Sequence, residues 1–304
     1  MSNHKPFTVI IIAGPTGVGK TNVAIQLAQK FDCEIINADS RQLYKEISIG
    51  TAKPSKNELL QVEHHLVDCF SINDLFTAGD FLIQSNNIIN QQKELGKKAI
   101  IVSGGTGLYI NALLFGLDNL PEGNEEIRTL LKNEFTEFGI EFLQKKLEKL
   151  DNDAPKNIDI NNPQRLMRAI EICLVSNKKY TDFLKKNVHK NNFETINIAL
   201  NLPRAELYKQ INNRVDLMFE NGLENEAKSM LAFRNNYALK TVGYSELFEY
   251  FDNNISKKEA IDLIKQHTRN YAKRQITWFN KNNLYTWFSP FQILEIESFI
   301  QAKL

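Results

Sequence analysis

At 304 residues the chain has room for one large domain or two of ordinary size. Hydrophobic residues make up 42% and charged residues 24%; this excludes intrinsic disorder as the main state, and no run of about 18 apolar residues is present to span a membrane. The net charge is only +1, and the three cysteines, Cys33, Cys69 and Cys173, lie far apart. They offer neither a disulfide framework nor a zinc spacing, so a reducing compartment is expected. Residues 1–7 are too short and polar for a signal peptide, which points to the cytoplasm.

Residues 7–13 (FTVIIIA) form an apolar, β-branched run ending at glycine and read as a buried parallel strand. Residues 20–31 follow with Val23, Ala24, Leu27, Ala28 and Phe31 on one helical face. Residues 34–36 read as a second strand leading into Asn37-Ala38-Asp39-Ser40. Residues 98–102 read as another buried strand, followed by Ser103-Gly104-Gly105-Thr106-Gly107 and a helix over 108–115. Strands alternating with helices predict an α/β fold, a P-loop-type parallel sheet core with helices on both faces.

The texture changes near Leu120-Pro121. Residues 125–150 are charged and helical in period, with Ile127, Leu130, Leu131 and Phe135 assigned to one face. Asn162-Pro163 opens another helix through Ser176, since proline is favoured at the first helical position. Residues 178–190 hold five lysines against one aspartate and are expected to form a loop. Residues 194–202 return to strand alternation, and 203–221 form a long helix that stops at Gly222. Residues 121–192 are therefore expected to be an inserted all-helical domain in an α/β core made of 1–120 and 193–304. Between 263 and 294 there is no acidic residue. The segment carries Lys265, Arg269, Lys273, Arg274 and Lys281 among seven aromatics, which predicts a face for a polyanion.

Gly14-Pro15-Thr16-Gly17-Val18-Gly19-Lys20-Thr21 matches G-x-x-x-x-G-K-[ST], after a strand and opening a helix. Its backbone N–H groups and the helix N-terminus are suited to phosphate oxygens. Lys20 supplies a point charge and the Thr21 hydroxyl a magnesium ligand. The motif indicates a diphosphate or triphosphate without specifying a nucleotide. A P-loop NTPase usually also has a carboxylate ending an apolar strand. Residues 100–102 end in Ser103-Gly104-Gly105-Thr106 instead, and Asp68 is only a weak substitute. The carboxylate best placed is Asp39. Ligands in such sheets bind beyond the carboxyl ends of the strands, so the loops 16–21, 39–42 and 104–106 are expected to meet.

Taken together, GPTGVGKT (14–21), ADSRQLY (38–44), IGTAKP (49–54), HHLVD (64–68), GGTGLY (104–109), NPQRLMRA (162–169), VGYSE (242–246) and KRQITWF (273–279) resemble the tRNA dimethylallyltransferase family in its bacterial form. The resemblance covers nearly the whole chain. It implies transfer of the dimethylallyl group of dimethylallyl diphosphate to the exocyclic N6 amine of the adenosine 3′ of the anticodon in tRNA. It also implies that the P-loop holds the diphosphate of the prenyl donor with Mg2+.

Under this resemblance the catalytic aspartate maps to Asp39, as the base that takes the amine proton. A helix cap or a magnesium-shell residue is the alternative. Thr106 is placed against the target nucleotide or the bridging oxygen, with a turn residue as its alternative. Lys20, with Thr16 and Thr21, would neutralise the leaving diphosphate. Arg214 is a remote clamp or else a surface ion pair. The tRNA-contacting stretches map to Asp39, Ser40, Arg41 and Gln42, and to Gln164, Arg165, Leu166, Met167 and Arg168. Arg128 joins them, as do Thr106 and the stripe Lys265, Arg269 and Lys273. Partners are then the anticodon stem-loop and the prenyl donor, with no membrane and no obligate protein partner, for a monomer. A small-molecule or nucleoside kinase is the rival reading, since it shares the P-loop.

Overall fold

The computed structural model describes residues 6–184, 191–281 and 283–304. In chain order its main elements are β1 (Thr8–Ala13), α1 (Lys20–Phe31), β2 (Ile35–Asn37), α2 (Lys56–Leu59), β3 (His64–His65), α3 (Ala78–Glu94), β4 (Ala99–Gly104) and α4 (Gly107–Phe115). Then follow α5 (Glu125–Leu150), α6 (Pro163–Ser176), β5 (Glu194–Leu200), α7 (Arg204–Glu220), α8 (Leu223–Ser229) and α9 (Tyr244–Phe251). Last come α10 (Lys257–Asn280), β6 (Thr286–Phe288) and α11 (Ile293–Gln301). The chain divides into two compact units, 1–115 with 191–304, and 116–190.

The larger unit is built on a six-stranded sheet in the order β3-β2-β4-β1-β5-β6, with every described pair parallel. Strand side chains alternate between two apolar layers. From β1, Val9, Ile11 and Ala13 enter one layer, while Ile10 and Ile12 enter the other. Both faces are thus dry, which is why β1 and β4 read as continuous apolar runs. Because β1 lies between β4 and β5, the loops leaving β1, β2 and β4 share one edge of the sheet.

The smaller unit packs α5 against α6 around Leu131, Leu143, Leu147, Leu166, Ala169, Ile170 and Cys173. Gly139, at φ 75 and ψ −175, breaks α5 into two helical stretches. Only glycine adopts such a conformation readily. One residue departs from the expected face: the stripe that meets the core runs at i, i+4 through Ile127, Leu131 and Phe135, and Leu130, on its flank, is 50% exposed. The Asn162 side chain accepts from the N–H groups of Gln164 and Arg165, capping α6 with Pro163 in its first turn.

Within this unit the Glu171 carboxylate, 2% exposed, gathers three donors. They are Arg128 Nε at 2.8 Å, Arg168 Nη1 at 2.7 Å and the Asn124 N–H at 2.7 Å. Arg168 Nη2 also donates to the Pro121 carbonyl at 2.7 Å. A buried carboxylate needs such saturation. Of the loop expected over 178–190, Tyr180–Phe183 form a short 3-10 turn, and 185–190 lie outside the described residues. Among the described residues no helix is long and apolar enough to cross a membrane.

Candidate active site

The loop after β1 wraps against β5 and α7. Gly14 sits at φ 149, and a Cβ there would lie 2.7 Å from the Leu200 carbonyl oxygen. Gly17 sits at φ 82, with the same imaginary atom 2.8 Å from Ile211 of α7. No side chain fits at either place, so the loop's glycines are obligatory. The Val18 side chain is buried in the apolar layer, which leaves only its backbone to face the loop's interior. Lys20 folds back, and its Nζ donates to the carbonyls of Gly14 (3.0 Å) and Pro15 (2.9 Å). Burial pushes its ammonium down to about 8, opposed by the Asp39 carboxylate and reinforced by the Arg214 guanidinium.

Arg214 reaches this loop from α7. Its Nη2 donates to Thr16 Oγ1 at 2.5 Å, while its Nε is buried with no partner in the protein. Burial also lowers its pKa, again against the pull of Asp39. Two part-buried cations on the wall of one cavity are therefore both within electrostatic reach of a single carboxylate. An arrangement of this kind is stabilised by an anion that takes up the remaining donors.

The loops after β2 and β4 are locked together. A Cβ on Gly104 would lie 2.2 Å from the Ala38 carbonyl oxygen, so only glycine lets the two backbones approach. The Thr106 N–H donates to the Ala38 carbonyl (3.1 Å), and Thr106 Oγ1 accepts from the Ser40 N–H (3.0 Å). Among the described residues no acceptor takes the Thr106 hydroxyl hydrogen, and Thr106 is not itself among the residues lining the site's two cavities. Asp39 Oδ1 accepts from the Arg41 N–H at 2.9 Å, a local bond that fixes the carboxylate. Arg41 itself is taken up by the carbonyls of Tyr237 and Lys240. Gln42 Nε2 donates to the carbonyls of Thr51 and Ala52.

Two adjoining cavities open here. One, of about 290 Å³, is lined by Thr16, Lys20, Thr21, Asp39, Gln42, Gly104 and Arg214, among others. The other, of about 480 Å³, is lined by Asp39, Ser40, Arg41, Val215, Met218, Ile264, Tyr271 and Arg274, among others. Thr16, Asp39, Thr51 and Arg214 line both. The smaller cavity is thus walled by phosphate-loop groups, and the larger one by residues of α7, α10 and the 240–246 segment.

Several residues of the site carried no role in the sequence analysis. Gln275 of α10 is buried; its Oε1 accepts from the Thr16 N–H (2.8 Å) and its Nε2 donates to the Gly105 carbonyl (2.9 Å). Tyr271 forms a wall of the larger cavity. Glu226 accepts from the N–H groups of Ser48, Ile49 and Gly50, each at 2.9 Å, and from the Tyr244 hydroxyl. It fixes the loop that brings Thr51 and Ala52 to the cavities. Lys53 binds the Tyr44 carbonyl at 2.7 Å and pairs with Asp68, so Asp68 is committed to the scaffold. The signal for most of these was their place inside matched motifs: Gln275 in KRQITWF, Tyr244 in VGYSE, Lys53 in IGTAKP.

The basic stripe on α10 does not stand free as its spacing suggested. Lys265 pairs with Asp216 of α7 at 2.6 Å, and Arg269 Nη1 donates to Asn212 Oδ1 at 2.7 Å. The lack of acids on α10 from residue 263 onward is made up in part from the neighbouring helix, while Lys273 is exposed. In the smaller unit Gln164 and Arg165 are exposed, Met167 is half-buried against the core, and Leu166 is a core residue. Of the expected aromatic core, Phe279 is fully buried, and Trp278, Tyr285, Trp287 and Phe288 pack half-buried against the two layers. His65 Nε2 lies 2.6 Å from Glu34 Oε2. Among the described residues no group of three or more His, Cys, Asp or Glu is placed to hold a metal.

A parallel sheet with a lysine-bearing phosphate loop and a cavity on each side of one aspartate defines an α/β phosphate-binding protein of the P-loop type. The IPP transferase family model matches residues 42–282. The tRNA dimethylallyltransferase of Cytophaga hutchinsonii is 44% identical over 296 residues, 97% of either chain. That of Christiangramia forsetii is 45% identical over 290 residues, 95% of this chain and 94% of its own. The tRNA isopentenylpyrophosphate transferase of Bacillus halodurans superposes with a TM-score of 0.72 at 35% identity, covering 97% of this chain and 96% of that one. A eukaryotic dimethylallyltransferase acting on tRNA superposes at 0.78 with 26% identity, covering 98% and 77%. The chain belongs to the IPP transferase family and is a prenyltransferase, which sets the kinase reading aside.

Gln275→Leu removes both amide contacts and leaves the Thr16 N–H and the Gly105 carbonyl without partners. The expected loss of stability is about 1–3 kcal/mol. Chemical denaturation of the full chain measures it, and a loss below about 0.5 kcal/mol, the scale of an ordinary surface change, would deny Gln275 this role.

Proposed function

We propose that the chain transfers the dimethylallyl group of dimethylallyl diphosphate to the N6 amine of the adenosine 3′ of the anticodon in tRNA. The observation that carries this reading is the position of Asp39. It lines the phosphate-loop cavity and the larger cavity alike, within electrostatic reach of Lys20 and Arg214. The donor's diphosphate takes the smaller cavity and the extruded base enters the larger one.

The amine of adenine is a poor nucleophile because its lone pair is delocalised into the ring. In the proposed step the nitrogen forms a bond to C1 of the prenyl group as the C1–O bond breaks. The bond electrons leave with the diphosphate, and the amine proton passes to the Asp39 carboxylate. The charge developing on the diphosphate meets Lys20, Arg214 and the N–H groups of the loop. The Thr106 hydroxyl, with its hydrogen uncommitted, orients the nucleotide or the bridging oxygen.

Mg2+ fits the donor set. The Thr21 hydroxyl is a hard oxygen donor on the wall of the smaller cavity, too little to hold the ion without the substrate's phosphates, as is usual for magnesium. When bound, the ion neutralises diphosphate charge.

On the RNA side, we assign contact to the exposed Gln164 and Arg165, to Lys273, and to Ser40 at the cavity rim. Arg128, Arg168, Arg41 and Gln42 act by holding the surfaces that meet tRNA, since their polar groups are already engaged. Lys265 and Arg269 contribute through the α7–α10 contact. The enzyme acts in the cytoplasm, as a monomer and without an obligate protein partner.

Incubation with unmodified tRNA and dimethylallyl diphosphate, followed by nucleoside mass analysis, should show dimethylallyladenosine. Absence of that product with intact substrates would sink the reading. Asp39→Asn should lower turnover by about 10² or more, with both substrates bound nearly as before; rescue by raised magnesium would make Asp39 a metal residue instead.

Lys20 supplies a pH test. The loop's ammonium titrates near 8, so its charge is present below that pH and lost as the pH rises through it. A diphosphate must then recruit a proton on binding. Affinity for the prenyl diphosphate should hold from pH 6.5 to 7.5 and fall by up to about tenfold per pH unit above 8. Calorimetry checks it, and Lys20→Met should bind weakly with no such fall.

Exposed cations should govern the salt dependence of tRNA binding. Arg165→Ala and Lys273→Ala are each expected to flatten the log–log slope by roughly 0.7–0.9. Lys265→Ala should leave the slope unchanged, because its partner Asp216 already neutralises it. Equal slopes for all three would return Lys273 and Arg165 to a solvated face.

A further inference from the structure

Tyr237 lies in a short 3-10 turn (Tyr237–Leu239) between α8 and α9, and its side chain stands out of the fold, 60% exposed. Its neighbours Ala238 and Leu239 are buried, so the backbone beneath the ring is anchored. Asn236 Nδ2 fastens the same turn to the Ile72 carbonyl (3.2 Å) and to Asn73 Oδ1 (2.9 Å). The ring is therefore an exposed aromatic on a fixed base.

One face of that ring is already backed. The Arg41 guanidinium lies 4.8 Å from its centroid. The guanidinium donates to the Tyr237 carbonyl at 3.0 Å and to the Lys240 carbonyl at 3.4 Å, so its plane is fixed as well. Arg41 and Lys240 both line the larger cavity, and the Arg41 backbone N–H holds the Asp39 carboxylate. The chain of contacts thus runs from the proposed base through Arg41, a residue of the cavity wall, to the exposed ring of Tyr237 behind it.

We infer that the outer face of Tyr237 is a stacking platform for an unpaired nucleotide next to the adenosine that enters the cavity. This rests on the functional reading above. A base drawn from a loop leaves its neighbours with one face uncovered, and unstacked bases are commonly received on tyrosine rings and arginine planes. The Arg41 backing withdraws electron density from the ring and fixes its orientation, so little side-chain freedom is lost when a base docks. The ligand is the π face of a base rather than a phosphate. The guanidinium, its donors spent on carbonyls, serves as the support.

The test uses the full chain, dimethylallyl diphosphate and an anticodon stem-loop RNA. Tyr237→Ala should weaken RNA binding about 5- to 150-fold, while Tyr237→Phe binds within about twofold of the parent and the KM for the prenyl donor is unchanged in both. An abasic nucleotide at one position flanking the adenosine should weaken binding by the unsubstituted chain but add nothing to Tyr237→Ala. Unchanged binding by Tyr237→Ala, an equal loss in Tyr237→Phe, or full additivity with every abasic RNA would overturn the platform. So would a melting curve showing that Tyr237→Ala unfolds the turn's surroundings while Tyr237→Leu binds as the parent does. If the unsubstituted chain neither binds the RNA nor makes prenylated product, the functional reading falls, and this inference with it.

Discussion

A single side-chain amide ties the two glycine-rich loops to each other. Gln275 accepts from the Thr16 N–H and donates to the Gly105 carbonyl, so the loop after β1 cannot move without the loop after β4. Around this bridge the packing leaves no slack. A Cβ on Gly105 would lie 2.2 Å from the Gln275 amide nitrogen, and one on Gly107 would lie 2.2 Å from Trp278 Nε1. The glycines of the Gly104–Gly107 turn thus serve two neighbours, β2 on one side and α10 on the other. With α10 seated, Thr106 is held where its hydroxyl meets the Ser40 N–H, and Asp39 is carried on the same turn. In a prenyl transfer this would fix the distance between leaving group and base, the kind of positioning on which such a reaction depends.

The electrostatics follow from that enclosure. Lys20 and Arg214 have like charges in a desolvated corner, and burial lowers the pKa of both. Asp39 offsets part of the cost. The Arg214 Nε has no protein partner, and the Lys20 ammonium is satisfied only by the carbonyls of its own loop. A diphosphate is well matched to these groups, because it brings several acceptors at once and carries the charge that the corner lacks. The same deficit argues against a neutral ligand there.

The cations expected to touch RNA divide into two groups by what already holds them. Arg128 and Arg168 converge on Glu171, and Lys265 converges on Asp216; these close the structure over acids that would otherwise be unpaired. Arg165 and Lys273 are exposed, and they are the ones with charge to give to a phosphate. Basic residues at helical spacing therefore fall into paired and exposed sets, distinguished only by the element packed beside them.

Four of the six strands (β1, β2, β4 and β5), the phosphate loop and the helix that follows it were legible in the sequence because each is specified locally, whereas the short edge strands β3 and β6 were not. A buried parallel strand must be apolar on both faces, and a phosphate loop must have glycine where the backbone turns tightly. Asp39 stands out in the sequence for the same reason, two residues past the end of β2. Motif order alone identified the family, since DSRQLY, IGTAKP and KRQITWF fall in sequence with the phosphate loop. The roles inside those motifs were not legible. That Gln275 spans 259 positions to Thr16, that Glu226 holds residues 48–50, and that Asp216 neutralises Lys265 are pairings between distant segments. Leu130 was placed on the buried face because a helical period does not say which flank of an apolar stripe meets the partner helix; the core takes Ile127, Leu131 and Phe135 at i, i+4 and leaves Leu130 outside. Local rules reveal which residue types a position tolerates; which partner a polar side chain meets is fixed only when the sheet brings its loops to one edge and buries them, where an unpaired donor or acceptor is too costly to leave.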